Sequence, residues 1–202
     1  MLSSVKSIAV HAEDVYVLAD AVYKVTPDSA LEKVISDSDS VWQAPGLINA
    51  YEGNIYLVDT VKNWIWKYFK NDQGFSAIQD YFLFDTIANL NGIADLEIDG
   101  WVWLARGREI MRFAQGKQDV WNIADLPTPL GSVVNLYTDP SLHNIYILDP
   151  GNQRVVVVDK TGVYLAEYHW ASQLDIADFV VSEALKKILL LSRGTIYAIE
   201  LR

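Results

Sequence analysis

The chain has 202 residues, enough for one sizeable core, and its 51% hydrophobic and 21% charged content with 7 Trp, 11 Tyr and 6 Phe excludes intrinsic disorder. A net charge of −10 repels phosphate backbones and anionic lipid headgroups, so nucleic acid and membrane surfaces are poor partners. With no cysteine there is no disulfide, no thiolate nucleophile and no Cys-ligated metal. The longest apolar runs, Val15 to Ala19 and Trp101 to Ala105, are five residues long. A membrane helix needs roughly 20, so no membrane insertion by this chain is expected. Residues 1 to 4, Met-Leu-Ser-Ser, carry neither the basic nor the apolar stretch of a secretory signal, which leaves localisation open.

In chain order the sequence repeats itself. The first unit, about residues 5–40, reads as strands at SIAVHAE from Ser7, DVYVLAD around Tyr16, AVYKV from Ala21 and LEKVI from Leu31. The second, 41–88, offers LINAYEG from Leu47, NIYLVD around Tyr56, WIWKYF from Trp64 and YFLF from Tyr81. The third, 89–127, has IADLEID from Ile93, WVWLAR around Trp103, EIMRF from Glu109 and DVWNI from Asp119. The fourth, 128–172, has VVNLYTD from Val133, NIYILD around Tyr146, RVVVVD from Arg154 and YLAEYHW from Tyr164. The fifth, 173–202, stops after three: IADFVVSE from Ile176, KILLLS around Leu189 and TIYAIE from Thr195.

The centres of the second segments lie 40, 47, 43 and 43 residues apart, and each segment is β-branched or aromatic between polar boundaries. Tight turns at Ala19-Asp20, Arg106-Gly107 and Arg193-Gly194 permit only antiparallel hairpins. The pattern predicts 19 strands in antiparallel meanders. A single meander cannot cover both of its own faces, so the units must stack, which is the logic of a β-propeller blade. The expected fold is all-β: one propeller domain over 1–202, with five blades of four strands, the last lacking its outer strand. Either residues 1–4 pair there, or that blade is three-stranded, or the chain is part of a larger propeller. An open edge invites strand addition or self-association.

Asn135 to Tyr168, NLYTDPSLHNIYILDPGNQRVVVVDKTGVYLAEY, resembles an NHL-type propeller repeat in its acidic turn, its I-Y-I-L-D strand and its G-N-Q-R and D-K-T-G turns. Together with GNIYLVDTVKNWIWKYF from Gly53 and the ending TIYAIEL, the chain is similar to the C-terminal propeller of uncharacterised bacterial membrane proteins. In those proteins a PPM-type phosphatase-like domain and a membrane helix come first. The resemblance implies a sensing or binding module outside the membrane and a propeller of more than five blades. It transfers no functional residue.

Most chemistry is missing by motif. His11, His143 and His169 have no i, i+4 companion and read as exposed or turn histidines, and no GxSxG, GxGxxG or P-loop is present. Arg106, Arg108 and Arg112 read as a solvated hairpin, and the tryptophans as wedges between blades.

One constellation remains. Innermost strands carry a polar residue after two apolar ones in Ile93-Ala94-Asp95, Val133-Val134-Asn135 and Ile176-Ala177-Asp178, with Leu47-Ile48-Asn49 in a comparable place and Ala9 in the first unit. First strands line a propeller's channel, so Asp95, Asn135, Asp178 and Asn49 are expected to converge there. Such a hard-oxygen set can hold Ca²⁺ or Mg²⁺, or grip a cationic or polyhydroxylated ligand. Equally, it can accept backbone N–H groups of the next blade and hold the blades in register, and this structural reading is the stronger. Two acids placed close together would raise one pKa by repulsion. The leading expectation is a non-enzymatic binding or sensing module for a protein or small polar ligand, with no obligatory cofactor. The alternative is a metal-dependent hydrolase or lactonase built on the ring.

Overall fold

The period-2 alternation of these segments drives short antiparallel strands with one face turned to a neighbouring sheet. The computed structural model describes residues 4–37, 40–83, 88–133, 135–171 and 173–202. Sheet one runs β1 (Ser7–His11), β2 (Asp14–Leu18), β3 (Val22–Val25) and β4 (Leu31–Ile35) in sequence order. Sheet two holds β5 (Pro45–Tyr51), β6 (Asn54–Asp59) and β7 (Trp64–Tyr68); a small ribbon, β8 (Lys70–Asn71) with β9 (Gly74–Phe75), then precedes its outer strand β10 (Gln79–Asp80). Sheet three is β11 (Ile93–Ile98), β12 (Val102–Arg106), β13 (Glu109–Ala114) and β14 (Lys117–Asp119). Sheet four is β15 (Asn135–Tyr137), β16 (Asn144–Asp149), β17 (Arg154–Asp159) and β18 (Tyr164–His169). Sheet five has three strands, β19 (Ile176–Ser182), β20 (Lys187–Ser192) and β21 (Thr195–Glu200).

All pairs within these sheets with a described register are antiparallel. Among the described residues the five sheets carry 19 strands, the number expected, and the ribbon adds two. The chain clusters into two compact units, 1–92 with 115–118, and 93–114 with 119–202.

Two outer strands differ from expectation. In sheet two the outer strand is Gln79–Asp80 rather than a strand from Tyr81, and Phe84 lies outside the described residues. The aromatics leave the ladder because they are needed as wedges: Phe82 packs edge-on against Trp64 at 5.8 Å and Tyr81 against Tyr56 at 6.0 Å. In sheet three β14 ends at Asp119, where DVWNI was expected to begin. Trp121 turns inward instead, edge-on to Trp103 at 5.2 Å with its indole N–H on the Lys160 carbonyl, and Ala124 then forms a parallel bridge with Val163.

That crossing needs Gly162, whose φ is +98° and where a Cβ would sit 2.2 Å from the Asn122 carbonyl oxygen. At Arg193-Gly194 both residues have positive φ, as a two-residue hairpin turn of this hand requires. In sheet three the connecting residues are Gly107-Arg108, one place later than expected.

The cores are sheet-on-sheet. In the first unit Tyr16, Leu18 and Val22 of sheet one pack with Ile55, Leu57 and Trp66 of sheet two. In the second, Trp103 and Ala105 pack with Ile145, Ile147 and Val156, and Tyr146, Leu148 and Val155 pack with Phe179, Ile188 and Leu190. Trp66, Trp103, Trp121 and Trp170 are buried and Trp42, Trp64 and Trp101 half-buried, in keeping with the wedge role.

Candidate functional site

Register decides which first-strand residues are equivalent. Asp95 stands opposite Ala105, Asn135 opposite Leu148 and Asp178 opposite Leu191, and each partner is the fifth residue of its second-strand motif. In the first unit that place belongs to Leu18 and Val58, whose partners are Ser7 and Leu47. Asn49 faces Tyr56, two residues further along, and Ala9 faces Tyr16. Asp95, Asn135 and Asp178 therefore share one column position, whereas Asn49 and Ala9 do not.

The error has a local cause. In β5, β11 and β19 the pairing skips Gly46, Ala94 and Ala177, the residue just before the column position. Such a bulge re-aims the next side chain. The true counterpart of Ile93-Ala94-Asp95 is thus Pro45-Gly46-Leu47, and the polar Asn49 in the following triplet misled the pattern.

Within the second unit the column is wired together. An Asp95 carboxylate oxygen accepts the Leu136 amide at 2.7 Å. The Asn135 Nδ2 donates to Asp178 Oδ1 at 3.2 Å, and the same oxygen accepts the Phe179 amide at 2.8 Å. The first unit repeats the first of these bonds, since Ser7 Oγ accepts the Ile48 amide at 3.3 Å. Leu136 and Ile48 both follow their sheet's column residue, so from sheet one to two and from sheet three to four the column residue grips the same backbone amide of the next sheet, whereas Asn135 of sheet four bonds the Asp178 side chain instead. Asp95 and Asn135 are half-buried, and Asp178 is exposed.

Burial pushes the Asp95 carboxyl up to about 6, against the opposing pull of the Leu136 and Leu96 amides, and the charge of Asp178 adds a smaller push. Repulsion between the acids, expected to raise one pKa, is thus secondary to desolvation. Because the folded protein binds the Asp95 proton more tightly than the unfolded chain, stability falls as pH rises from about 4 to about 6 and levels off above that. Asp95→Asn keeps an oxygen for the Leu136 amide and cannot ionise. It should gain on the order of 2 kcal/mol at pH 7, discounted for residual solvent at the site, and nothing below pH 4. Urea melts of both proteins from pH 3.5 to 7.5 check this, and parallel curves would refute it.

The remaining candidates have partners of their own. The His11 ring nitrogen Nε2 accepts the Gly53 amide at 3.0 Å, His169 pairs with Glu167 at 2.9 Å, and His143 is exposed. The arginines are no uniform solvated hairpin. Arg106 pairs with Glu109 and Arg108 Nε donates to the Gly131 carbonyl, but Arg112 lies over the Trp101 and Trp103 rings at 5.3 and 5.5 Å because the indole faces and Asp119 together replace its water.

Sequence reasoning missed the buried aspartates. Asp59 accepts the amides of Gln43, Ala44 and Lys62. Asp149 accepts those of Gly131 and Ser132 together with Arg154 Nε. The final D of NIYLVD and NIYILD was the available signal. A cavity of about 290 Å³ in the first unit is lined by Val34, Val41, Tyr68, Phe75 and Ile78, with Asp37 committed to the Val41 and Trp42 amides.

Comparison with known proteins defines the fold class. The chain matches no family model and no curated protein. Solved structures do match. A virginiamycin B lyase from Staphylococcus aureus is 12% identical at a TM-score of 0.63, over 99% of this chain and 71% of the lyase. A gluconolactonase from Xanthomonas campestris is 14% identical at 0.68, over 96% and 71%. A chain of a nidogen–laminin complex is 14% identical at 0.68, over 98% and 76%. At these identities the likeness establishes a shared fold alone. With the five small antiparallel sheets, it makes the fold that of a five-bladed β-propeller.

Proposed function

We propose that the chain is a non-enzymatic binding or sensing module that engages a partner protein through sheet five. One observation carries this reading. Ser7 and Asp95 each hold a backbone amide of the adjoining sheet, and Asp178, in the same position of sheet five, is exposed beside Val180, Leu191 and Ile196, with Oδ1 on the Asn135 side chain and the Phe179 amide. An acceptor for a backbone amide beside an apolar sheet face suits another β-structure better than a small solute. The NHL-like character of Asn135 to Tyr168 and the likeness to propellers of membrane-anchored proteins support a sensing role outside the membrane.

A second reading has its own support: Asp95, its carboxyl raised to about 6 chiefly by burial with a smaller push from the charge of Asp178, is suited to act as an acid near neutral pH. Asp95, Asn135 and Asp178 would then hold Ca²⁺ or Mg²⁺ in a hydrolase or lactonase, and two of the solved structures are named as a lyase and a gluconolactonase. Calorimetry separates the two. A ten-residue peptide of alternating valine and lysine should bind the wild type and lose at least tenfold in affinity on Ile196→Lys, while Ca²⁺, Mg²⁺, Zn²⁺ and a linear diamine give no heat. Ion-dependent gluconolactone hydrolysis that disappears in Asp178→Asn, without peptide binding, would replace this reading with the enzymatic one.

A further inference from the structure

The outer edges of sheets one and two do not close on each other. Strand β10 pairs with Trp66 and Lys67 of β7 and stops short of Tyr68. The chain from 69 to 78 detours through the β8–β9 ribbon, whose base is tied by the Ser76 amide on the Phe69 carbonyl at 2.8 Å. This ribbon reaches across to sheet one: β9 touches β4, and Phe75 sits edge-on to Tyr16 at 6.1 Å. The detour leaves the cavity of about 290 Å³ between the end of β4 and the stretch 75–78. Every residue that lines it belongs to the first compact unit.

Its wall is of two kinds. Val34, Val41 and Ile78 with the Tyr68 and Phe75 rings make it apolar and aromatic, while Asp37, half-buried, gives it a charge. The carboxylate is fixed in place, Oδ1 accepting the Val41 amide at 2.8 Å and Oδ2 the Trp42 amide at 3.1 Å. A carboxylate has about four acceptor sites, so two amides leave about half of them for further donors. No ion pair to Asp37 exists among the described residues, since Lys24 and Lys70 pair with Asp14 and Lys33 lies over the Tyr23 ring. Ser76 commits its hydroxyl to the Ala77 carbonyl and the Phe69 amide.

A carboxylate without a cation, set beside aromatic rings, fits a ligand that carries a positive charge on an apolar body. The ammonium takes the remaining Asp37 acceptors, the rings add cation–π attraction, and the body displaces water from Val34 and Ile78. The net charge of −10 draws such cations toward the chain. A volume near the lower limit of small-molecule sites sets the size at that of a phenylalkylamine. Asp37 repels an anion, and a linear diamine would bury its second ammonium against the apolar wall without a partner.

We propose that this cavity is a binding site for a small organic monocation, an ammonium on an aromatic or branched apolar body, with the charge on Asp37 and the body among Tyr68, Phe75 and Ile78. None of its residues belongs to sheet five, so the site stands whether or not that surface binds a protein.

The test uses the full chain at neutral pH. Calorimetry with 2-phenylethylammonium should show saturable binding, and NMR spectra of the same titration should shift the Val41 and Trp42 amides, which rest on the Asp37 carboxylate. The charge-assisted bond should place the ammonium at least about tenfold above the neutral isostere 2-phenylethanol. Asp37→Asn should bring that ratio near one and leave the affinity for the alcohol unchanged, a split that loosening of the turn would not produce. Val34→Phe fills the cavity without touching the carboxylate and should remove binding of both ligands; if it overpacks and unfolds, the Asp37→Asn ratio decides alone. Absence of ammonium binding overturns the inference, as does equal affinity for the alcohol or a wild-type ratio in Asp37→Asn. Binding retained by a folded Val34→Phe protein, or a linear diamine bound as tightly as 2-phenylethylammonium, would trace the attraction to surface charge and overturn it as well.

Discussion

Asp149→Ala is expected to lower the free energy of unfolding by about 3–5 kcal/mol, read from urea melts at pH 7. The carboxylate is fully buried at the end of β16, and one oxygen holds the Gly131 and Ser132 amides at 3.0 Å each. The other takes Arg154 Nε at 3.0 Å and Asn152 Nδ2 at 2.8 Å. Arg154 is itself buried, with its remaining donors on Glu167 and the carbonyls of Thr128 and Pro129. Removing the aspartate strands a guanidinium in the interior and orphans two amides, and both losses carry the cost of an uncompensated buried group.

Arg154→Met isolates the ionic part, since the two amides keep their acceptor. An apolar replacement of both partners is often near neutral for a simple buried pair. Here the double variant should remain destabilised, because no apolar side chain can hold Gly131 and Ser132. A double variant as stable as the wild type would show that the loop is held by other means, and a loss under about 1 kcal/mol in Asp149→Ala would show the carboxylate to be dispensable.

What could be read from the sequence follows from where the physics is local. Second strands such as NIYLVD and NIYILD announce themselves because every apolar residue in them is buried on one face or the other, and the meander order follows from short connections. Outer strands were placed poorly because their side chains are half-exposed and the neighbouring aromatics, Tyr81, Phe82 and Trp121, are drawn out of the ladder by packing against distant rings. Asp95, Asn135 and Asp178 were legible as a recurring polar residue after two apolar ones. Asn49 was misassigned because a bulge at Gly46 shifts the pairing, and a bulge leaves no mark in hydrophobic periodicity. Equivalence between sheets is a statement about hydrogen-bonded partners, and only the paired strands supply it.

The same limit hid the second buried acid of consequence, and its removal is the other large effect expected. Asp99 sits in the turn after β11 with its carboxylate out of solvent, one oxygen 2.8 Å from Lys160 Nζ and 3.2 Å from Thr138 Oγ1, the other taking Trp103 Nε1 at 2.7 Å. Lys160 is also tied through its carbonyl to the Trp121 indole and to Arg112. Asp99→Ala would leave two cations beside three tryptophans with one fewer acid among them. A loss of about 3–4 kcal/mol is expected, with a reduced near-ultraviolet circular dichroism signal as the Trp101, Trp103 and Trp121 rings reorient. The Lys160→Met change alone should cost less than Asp99→Ala, because the carboxylate keeps the Trp103 and Thr138 donors. In the double-mutant cycle the two should couple by more than about 1.5 kcal/mol, the signature of a desolvated pair. Coupling below about 0.5 kcal/mol would mean that Lys160, at 18% side-chain exposure, is solvated well enough to behave as a surface charge, and that Asp99 acts through Trp103 alone.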